Sequence, residues 1–315
     1  MAGLDFEKPI NELEKKIQEL KNFISDKKID LSSEVRRLED KLEHLKKDTY
    51  ANLTAWQKIQ LARHPQRPYT LDYINMLMTD FIELHGDRLF ADDKAIVCGL
   101  AKLGQEKIAI IGHQKGRDTK ENLKRNFGCA HPEGYRKALR VMQLAEGFNL
   151  PVVIFIDTPG AYPGIGAEER GQSQAIALNL REMISIASPM MAIVIGEGGS
   201  GGALGVGVTD KVLVLENAYY SVISPEGCAA ILWKDGAKAP EAAEVLKLTA
   251  QDLLGMGIID EIIPEPLGGA HRDPQKTAQN IKEAINRNLE SLRSLTKEQL
   301  LSLRYKKFRS MGVTA

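Results

Sequence analysis

The sequence of 315 residues is poor in the side chains that usually bind metals. Its three cysteines, Cys98, Cys129 and Cys228, are widely spaced and form no CxxC pair, so we expect no zinc site built by this chain alone. The six histidines are equally scattered and form no HExxH pattern. An odd number of free thiols also favours a reducing compartment, and we expect a cytoplasmic protein.

Long apolar runs and an excess of one charge are also lacking. The longest apolar stretches, such as residues 152–156 and 190–195, have the length of strands, whereas a membrane span needs about 20 apolar residues. The first seven residues show neither the basic start nor the apolar run of a secretory signal. Lys and Arg total 42, as do Asp and Glu, so no global field attracts nucleic acid. We therefore expect neither a membrane nor a nucleic acid as a partner.

Residues 1–62 have the pattern of two amphipathic helices. Two sets of apolar residues recur three or four positions apart: Ile10, Leu13, Ile17, Leu20 and Ile24, then Leu31, Val35, Leu38, Leu42 and Leu45. A polar break at 25–30 separates them, so we predict a helical hairpin with one apolar seam on each helix. The seams need a cover. It is either packing within the chain or a partner, for which the hairpin would be a docking arm.

Region 63–266 is predicted to be an α/β core, because buried apolar strands alternate with helices. The expected strands include 152–156, 190–195 and 211–215, and the expected helices include 71–84 and 168–187. Residues 151–160 and 188–198 share a layout, a strand followed by a glycine turn. Periodicity alone fits a doubly wound sheet and a stacked spiral of ββα units equally well. The last region, 267–315, is predicted to form helices, with a capping box at Thr296 and Gln299.

The most informative stretch is 195–205, where a buried strand is expected to end in a glycine-rich turn that opens a helix. Glycine lets the backbone approach a ligand closely, and the free N–H groups of a helix start face any negative oxygen in front of them. Seven glycines fall between residues 196 and 207, which is more than packing alone is expected to need. The stretch therefore predicts a site for an anion or an oxyanion.

Two nucleotide-binding interpretations of this turn are weak. Gly196, Gly198 and Gly201 fit the dinucleotide fingerprint. Glu216 stands at a plausible distance for a ribose, but the helix that follows the glycines is too short for a nucleotide-binding crossover. A phosphate loop of the Walker type is excluded, because no lysine follows the glycines.

Two further interpretations concern acyl chemistry. Ser200 fits the nucleophile elbow of serine hydrolases, and His271 is the only later histidine that could act as its base. Alternatively, backbone N–H groups form an oxyanion hole without a side-chain nucleophile, and each donor then stabilises the transition state by about 3 kcal/mol. The second alternative suits a chain that has no evident catalytic triad.

Several motifs occur in order over nearly the whole chain. They are Arg63-His64-Pro65-Gln66-Arg67-Pro68, Gly112-His113-Gln114-Lys115-Gly116-Arg117, Asn126-Phe127-Gly128, His131-Pro132-Glu133-Gly134-Tyr135-Arg136, Asp157-Thr158-Pro159-Gly160-Ala161-Tyr162, Glu168-Glu169-Arg170-Gly171-Gln172, Gly196-Glu197-Gly198-Gly199-Ser200-Gly201-Gly202 and Ser221-Val222-Ile223-Ser224-Pro225-Glu226-Gly227. Together they resemble the alpha subunits of bacterial acetyl-CoA carboxylase carboxyltransferases. The resemblance implies a crotonase-like or ClpP-like spiral of repeated ββα units, with an N-terminal helical hairpin and C-terminal helices.

The resemblance also implies a reaction: carboxybiotin, held by a separate carrier protein, gives its carboxyl group to acetyl-CoA, which yields malonyl-CoA for fatty acid biosynthesis. Backbone N–H groups then meet the negative oxygens, and the hole of this subunit maps onto Gly201 and Gly202. The biotin ureido anion is itself a base, so no protein general base is required. The implied carboxybiotin pocket contains Gly160, Ala161, Tyr162, Gly199 and Ser200.

The implied partners are a beta subunit in an α2β2 assembly, the biotin carboxyl carrier protein and biotin carboxylase. The beta subunit of the family carries a four-cysteine zinc ribbon and most of the acetyl-CoA contacts, so no metal is expected in this chain. Two alternatives stay open: a carboxyltransferase or decarboxylase subunit for another acyl-CoA, and a non-catalytic scaffold for the beta subunit. A basic run is a candidate contact for CoA phosphates or for the carboxylate of the carrier-bound group or, equally, a solvated face: Lys115, Arg117, Lys120, Lys124 and Arg125.

Overall fold

The computed structural model describes residues 4–27 and 31–312. The helices are α1 (Lys8–Lys27), α2 (Ser32–Ala51), α3 (Ala55–Ala62), α4 (Thr70–Leu77), α5 (Thr119–Lys124), α6 (Pro132–Gly147), α7 (Ile165–Glu169), α8 (Gln172–Met183), α9 (Ser200–Leu204), α10 (Pro225–Trp233), α11 (Ala239–Leu246), α12 (Ala250–Gly255), α13 (Pro274–Arg293) and α14 (Lys297–Arg309). The strands are β1 (Thr79–Glu83), β2 (Ile96–Leu103), β3 (Glu106–His113), β4 (Val152–Thr158), β5 (Met190–Gly199), β6 (Lys211–Leu215), β7 (Tyr219–Ser221) and β8 (Glu261–Ile263).

All eight strands belong to one sheet in the order β1-β2-β3-β4-β5-β6-β8, and β7 pairs with the end of β5. The first three strands pair antiparallel, and the later neighbours pair parallel. Every residue of β4 and β5 is buried, as expected for apolar strands that are covered on both faces. Because Thr158 is in register with Gly198, the turns that follow β4 and β5 lie side by side.

Helices pack around this sheet, which confirms the predicted α/β class. α6 packs against β2, β3 and α8, whereas α13 packs against α4 and β8. The buried guanidinium of Arg304 anchors α14 by donating to both carboxylate oxygens of Asp210 at 2.8 Å. The capping box predicted at Thr296 and Gln299 is present. No helix in the described part of the chain has the length and hydropathy of a membrane span.

α1 and α2 form the predicted helical hairpin. Ion pairs join Lys21 to Glu39 at 2.6 Å and Lys46 to Glu14 at 2.5 Å, so the two helices run antiparallel. The apolar seams are buried or half-buried along both helices. α1 continues to Lys27, and the rest of the predicted break, 28–30, lies outside the described residues. The docking role of the hairpin, the three domain boundaries and the spiral winding stay predictions.

Three predicted elements have wrong bounds. The helix expected at 71–84 ends at Leu77, because the next residues form β1 and pair with the edge of β2. The helix expected at 168–187 is split into α7 and α8 at Gly171, whose φ of 80° is left-handed. The strand expected at 190–195 continues to Gly199, so the first glycines of the rich stretch belong to β5 and not to a turn.

Candidate active site

Two neighbouring turns close the central strands of the sheet. We name residues 159–163 the β4 turn and residues 199–202, where β5 passes directly into the first turn of α9, the β5 turn. The two turns touch through their backbones. A Cβ atom on Gly199 would lie 2.2 Å from the carbonyl oxygen of Pro159, and one on Gly202 would lie 2.4 Å from the carbonyl carbon of Gly160. Only glycine fits at these two positions, so the close contact between the two turns depends on both glycines.

A cavity of about 570 Å³ opens between the two turns, and we name it the turn cavity. It is lined by Pro159, Gly160, Ala161, Tyr162, Pro163, Glu168, Gln172, Ser173, Ile176, Ser200, Gly201, Val222, Ile223 and Ser224. Five of the seven predicted site residues therefore line the same cavity: Gly160, Ala161, Tyr162, Ser200 and Gly201. The other two, Gly199 and Gly202, are buried behind that wall.

α9 begins at the wall of the turn cavity. The first N–H groups of an α-helix have no partner within the helix, and in α9 these are the N–H groups of Ser200, Gly201 and Gly202. Gly201 is also uncrowded, since the atom nearest to an added Cβ is Ile176 Cδ1 at 3.8 Å. Ser200 before it has a φ of 55°, which turns the chain sharply from β5 into the helix. The first residues of α9, whose N–H groups have no partner within the helix, therefore lie at the wall of the open cavity.

Tyr162 in the β4 turn is held from two sides. Its ring stacks on the ring of His131 with centroids 4.1 Å apart, and its N–H donates to the Ala130 carbonyl at 3.0 Å. The Gln172 amide donates to the carbonyls of Ala130 at 2.8 Å and Tyr162 at 2.9 Å. Sequence reasoning assigned no role to Gln172, although it lies in one of the quoted motifs. The structure shows that it fixes the β4 turn.

The count of glycines was a misleading signal for a ligand site. Six of the seven glycines between residues 196 and 207 would bring an added Cβ within 3.1 Å of another atom: Gly196, Gly198, Gly199, Gly202, Gly205 and Gly207. These glycines are explained by close packing, against side chains such as Asp157 and Tyr220 and against the β4 turn. The expectation that packing needs fewer glycines is therefore wrong. Gly201 is the member of the set that packing does not explain.

The nucleotide and hydrolase interpretations lose support. Gly196 and Gly198 lie within β5, so they form no phosphate-binding loop. Glu216 is engaged elsewhere, since its carboxylate accepts the N–H of Glu265 at 3.1 Å. His271 stacks on His64 with ring centroids 3.8 Å apart, and it is not part of the turn cavity. Among the described residues no histidine lines the cavity beside Ser200, so a serine nucleophile would lack its base.

A buried ion network lies beneath the two turns. The Lys115 ammonium donates to Asp157 at 2.6 Å, before the β4 turn, and to Glu197 at 2.8 Å, before the β5 turn. Glu197 also accepts from Arg63 and from the Tyr219 hydroxyl, both at 2.7 Å. The predicted role of Lys115 as a contact for CoA phosphates is therefore wrong, because its ammonium is already used inside the protein.

Charge pairing outweighs burial in this network. Burial by itself would raise the pKa of Glu197, but the charges of Lys115 and Arg63 and the hydrogen bonds to Glu197 lower it to about 2. Burial would likewise lower the pKa of Lys115, and the carboxylates of Asp157 and Glu197 instead raise it above its ordinary value. Both groups are therefore charged at neutral pH.

The rest of the basic run does not form one surface. Arg117 pairs with Asp72 and lies over the ring of Tyr69, with its guanidinium carbon 4.0 Å from the ring centroid. Arg125 donates to Glu121 at 3.0 Å. Lys120 and Lys124 are exposed and are the members of the run left for an external phosphate.

One cluster in the described ranges has the composition of a metal site. Asp93, His131 and Glu133 offer ligand atoms within 4.8 Å of one another. Asp93 accepts the His131 N–H at 2.7 Å, and Arg170 donates to Glu133 at 2.6 Å. Because a guanidinium already neutralises Glu133, the cluster is a set of structural hydrogen bonds that supports the His131 stack on Tyr162.

Two solved enzyme structures share the fold described above. A solved structure of transcarboxylase 12S with hydrolysed methylmalonyl-coenzyme A bound is similar, with a TM-score of 0.59 and 18% identity over 76% of this chain and 45% of that chain. A Pseudomonas malonate decarboxylase hetero-tetramer in complex with coenzyme A has a TM-score of 0.57 and 13% identity over 69% of this chain and 88% of that chain. At these identities the likeness is one of fold alone.

Sequence comparison defines the family more narrowly. A family model described as acetyl co-enzyme A carboxylase carboxyltransferase-like matches residues 3–312. The acetyl-coenzyme A carboxylase carboxyl transferase subunit alpha of Geobacter metallireducens is 59% identical over 98% of this chain and 97% of the relative. That of Thermus thermophilus is 58% identical over 99% of each chain. The chain belongs to this family of alpha subunits, as the motifs predicted, and it is an enzyme subunit that transfers carboxyl groups.

Proposed function

We propose that this subunit transfers a carboxyl group from carboxybiotin to acetyl-CoA and that the donor enters the turn cavity. The names of its full-length relatives support acetyl-CoA as the acceptor. Carboxybiotin would supply the carboxyl group, and cleavage of its C–N bond would leave negative charge on the ureido oxygen. The ureido group would take the proton that the acetyl carbon loses, and that carbon would form the new C–C bond of malonyl-CoA. The task of this chain is to stabilise that charge.

The residues present fit such a donor. Glu168 is the one charged residue among those that line the turn cavity, and the walls otherwise consist of backbone, apolar and neutral polar groups. Such a lining suits an uncharged ureido ring and strengthens any hydrogen bond made inside it. The amides of Gly201 and Gly202 are the proposed donors to the negative oxygen. Gly160, Ala161 and Tyr162 would form the facing wall, with Ser200 and Gly199 supporting the entry to α9.

One observation carries this assignment. Gly201 lies on the cavity wall, at the first turn of a helix, and has open space where every other glycine of the stretch is crowded. Packing within this chain therefore does not explain the glycine at position 201. An incoming group that must approach the backbone accounts for it.

The assembly is proposed in the form that the resemblance implies. The alpha designation of the relatives indicates a multisubunit carboxylase with a beta subunit. We propose an α2β2 carboxyltransferase that receives carboxybiotin from a biotin carboxyl carrier protein, which a biotin carboxylase loads in the cytoplasm. Any zinc would be held by the beta subunit.

The test is Gly201→Val in the enzyme reconstituted with its beta subunit. Valine would occupy the cavity entrance to the backbone donors, and we expect turnover to fall at least about 100-fold, the loss typical of one oxyanion donor. Gly255→Val is the matched control. Gly255 ends α12 with nothing within 4 Å of an added Cβ, and turnover should stay within about twofold of the unmodified enzyme.

Near-normal turnover in Gly201→Val would disprove the site. It would favour the scaffold alternative, in which the beta subunit alone does the chemistry. The same reconstituted enzyme, assayed with acetyl-CoA and with propionyl-CoA, decides between acetyl-CoA and another acceptor. A clear preference for propionyl-CoA would overturn the proposed substrate but not the cavity.

A further inference from the structure

One buried cation connects the two turns that enclose the turn cavity. Lys115 follows β3 and donates to Asp157 at 2.6 Å and to Glu197 at 2.8 Å. Asp157 stands three residues before Gly160, and Glu197 stands three residues before Ser200. The ammonium therefore holds equivalent points at the roots of the β4 turn and the β5 turn.

The two carboxylates are also tied directly to the strands. The Glu197 N–H donates to Asp157 Oδ1 at 2.9 Å, so this oxygen lies between β4 and β5. Gly196 provides the space for it, because an added Cβ there would lie 2.5 Å from the same oxygen. Neither turn root can shift relative to the other without breaking a bond to Asp157 or Lys115.

Stability is a poor explanation for this arrangement. The side chains of Lys115, Asp157 and Glu197 are 12%, 2% and 9% exposed, so their charges are largely removed from water. Burial of paired ions costs much of what their attraction returns, and apolar packing of the same volume is often equally stable or more stable. A buried lysine between two turns instead fixes geometry, because its hydrogen bonds allow only one separation of its partners.

We propose that Lys115 is a positioning residue for carboxyl transfer, whose ammonium sets the separation of the β4 turn and the β5 turn and thereby the alignment of the Gly201 amide. The inference rests on the turn cavity being the site of transfer. Alignment matters because a displacement of about 1 Å at a reacting group can lower a rate about 100-fold. Lys115 itself touches neither substrate in this account.

The first test is Lys115→Arg, which keeps the positive charge but changes the length and shape of the bridging group. We expect kcat to fall at least tenfold in the reconstituted enzyme, with the KM for acetyl-CoA within about twofold and a thermal midpoint close to that of the unmodified protein. A role in charge balance alone predicts a normal kcat, because the charge is retained. A correctly assembled Lys115→Arg enzyme with normal kcat would overturn the proposal.

The second test removes the bridge at constant charge. Lys115→Met combined with Glu197→Gln deletes one cation and one anion, so Arg63, Asp157 and Glu226 keep the same net charge as the original network. The double variant should assemble and still show a kcat at least tenfold low. A normal kcat in the double variant would contradict the proposal.

Lys107→Arg is the matched control for the first test. Lys107 lies on β3, the strand that leads to Lys115, but its side chain is exposed, so we expect a kcat within about twofold of the unmodified enzyme. An equal loss of kcat in Lys107→Arg and Lys115→Arg would show that the loss does not come from the bridge, and it would overturn the role of Lys115. If Gly201→Val loses activity while both Lys115 variants keep it, the cavity assignment stands and only the positioning role fails.

Discussion

The β4 turn and the β5 turn have the same layout in the sequence but very different amounts of free space. Each begins two residues after a buried carboxylate, and each closes a central parallel strand. A Cβ on Gly160 in the β4 turn would meet no atom nearer than 3.9 Å, whereas Gly199 and Gly202 in the β5 turn leave no room at all.

This difference separates two uses of glycine at one site. The β5 turn is packed against the backbone of the β4 turn, and glycine there brings two pieces of main chain together. Gly160 and Gly201 face the turn cavity, and the space beside them is open to a ligand. Glycines that look equivalent in the sequence are thus expected to respond differently to the same substitution.

The largest effect is expected for Gly202→Ala. The new methyl group would collide with the Gly160–Ala161 peptide, whose atoms lie 2.4 and 2.5 Å from the Cβ position. Overpacking of this kind costs about 1–3 kcal/mol of unfolding free energy, and displacement of the β4 turn should also abolish transfer. Chemical denaturation of the isolated chain and turnover of the reconstituted enzyme measure the two consequences.

Gly201→Ala is the partner of that experiment. Its Cβ has space, and alanine is favoured over glycine in a helix by about 0.5–1 kcal/mol, so the chain should be at least as stable as before. If Gly201→Ala and Gly202→Ala lower the unfolding free energy equally, the β5 turn is packed equally tightly at both residues. The inferred difference between these two glycines would then be wrong.

Much of the fold follows from local patterns. The strand at 211–215 and the capping box at Thr296 were predicted at the residues where they occur, because a short apolar run and a cap depend on neighbours in sequence. β1 was predicted as helix, since nothing local reveals that its backbone would pair with the edge of β2. The break at Gly171 depends on a left-handed φ, which the flanking periodicity concealed.

The site was predictable only in part. Helix-start amides and the glycine stretch pointed to the β5 turn, and the motifs pointed to the β4 turn. The network below them was not foreseen, because Asp157 meets Glu197 only through the register of β4 with β5. Lys115 is separated from Glu197 by 82 residues, so no spacing rule links them. Long-range pairing of this kind is set by the sheet and not by local sequence.

A pH experiment extends the comparison to β3, the strand that leads to Lys115. Its last residue, His113, is fully buried, and burial lowers the pKa of its imidazole from 6.5 to about 4. Between these two pH values the unfolded chain binds a proton at His113 and the folded chain does not. The free energy of unfolding therefore falls as the pH drops from 6.5 towards 4. At pH 5 this single group accounts for about 2 kcal/mol.

His113→Leu should remove that part of the pH dependence. The variant should lose less unfolding free energy than the unmodified chain between pH 7.5 and pH 5, as measured by urea denaturation at each pH. His44→Leu changes an exposed histidine and serves as the control. If His113→Leu and the unmodified chain show the same pH dependence, the buried histidine of β3 contributes nothing to the loss of unfolding free energy at low pH.

A smaller effect is expected for Gln172→Leu, which frees the β4 turn while leaving the β5 turn intact. Two hydrogen bonds to the carbonyls of Ala130 and Tyr162 are lost, and each is worth about 1 kcal/mol. The unfolding free energy should fall by about 1–2 kcal/mol, and the KM for the biotin donor should rise. Gln174→Leu makes the same change at an exposed position of α8 and should do neither.

Ser200→Ala should have the smallest effect on turnover. The serine hydroxyl has no described histidine beside it in the turn cavity, and the backbone around it is what the proposal requires. We expect kcat within about threefold of the unmodified enzyme, because a surface substitution that spares the donors changes little. Ser200→Gly should in addition raise the unfolding free energy by about 1 kcal/mol, since glycine relieves the φ of 55°.

If the turnover of Ser200→Ala falls to background while assembly is preserved, Ser200 is a nucleophile. The β5 turn would then supply the reacting group, and the β4 turn would only hold it in place.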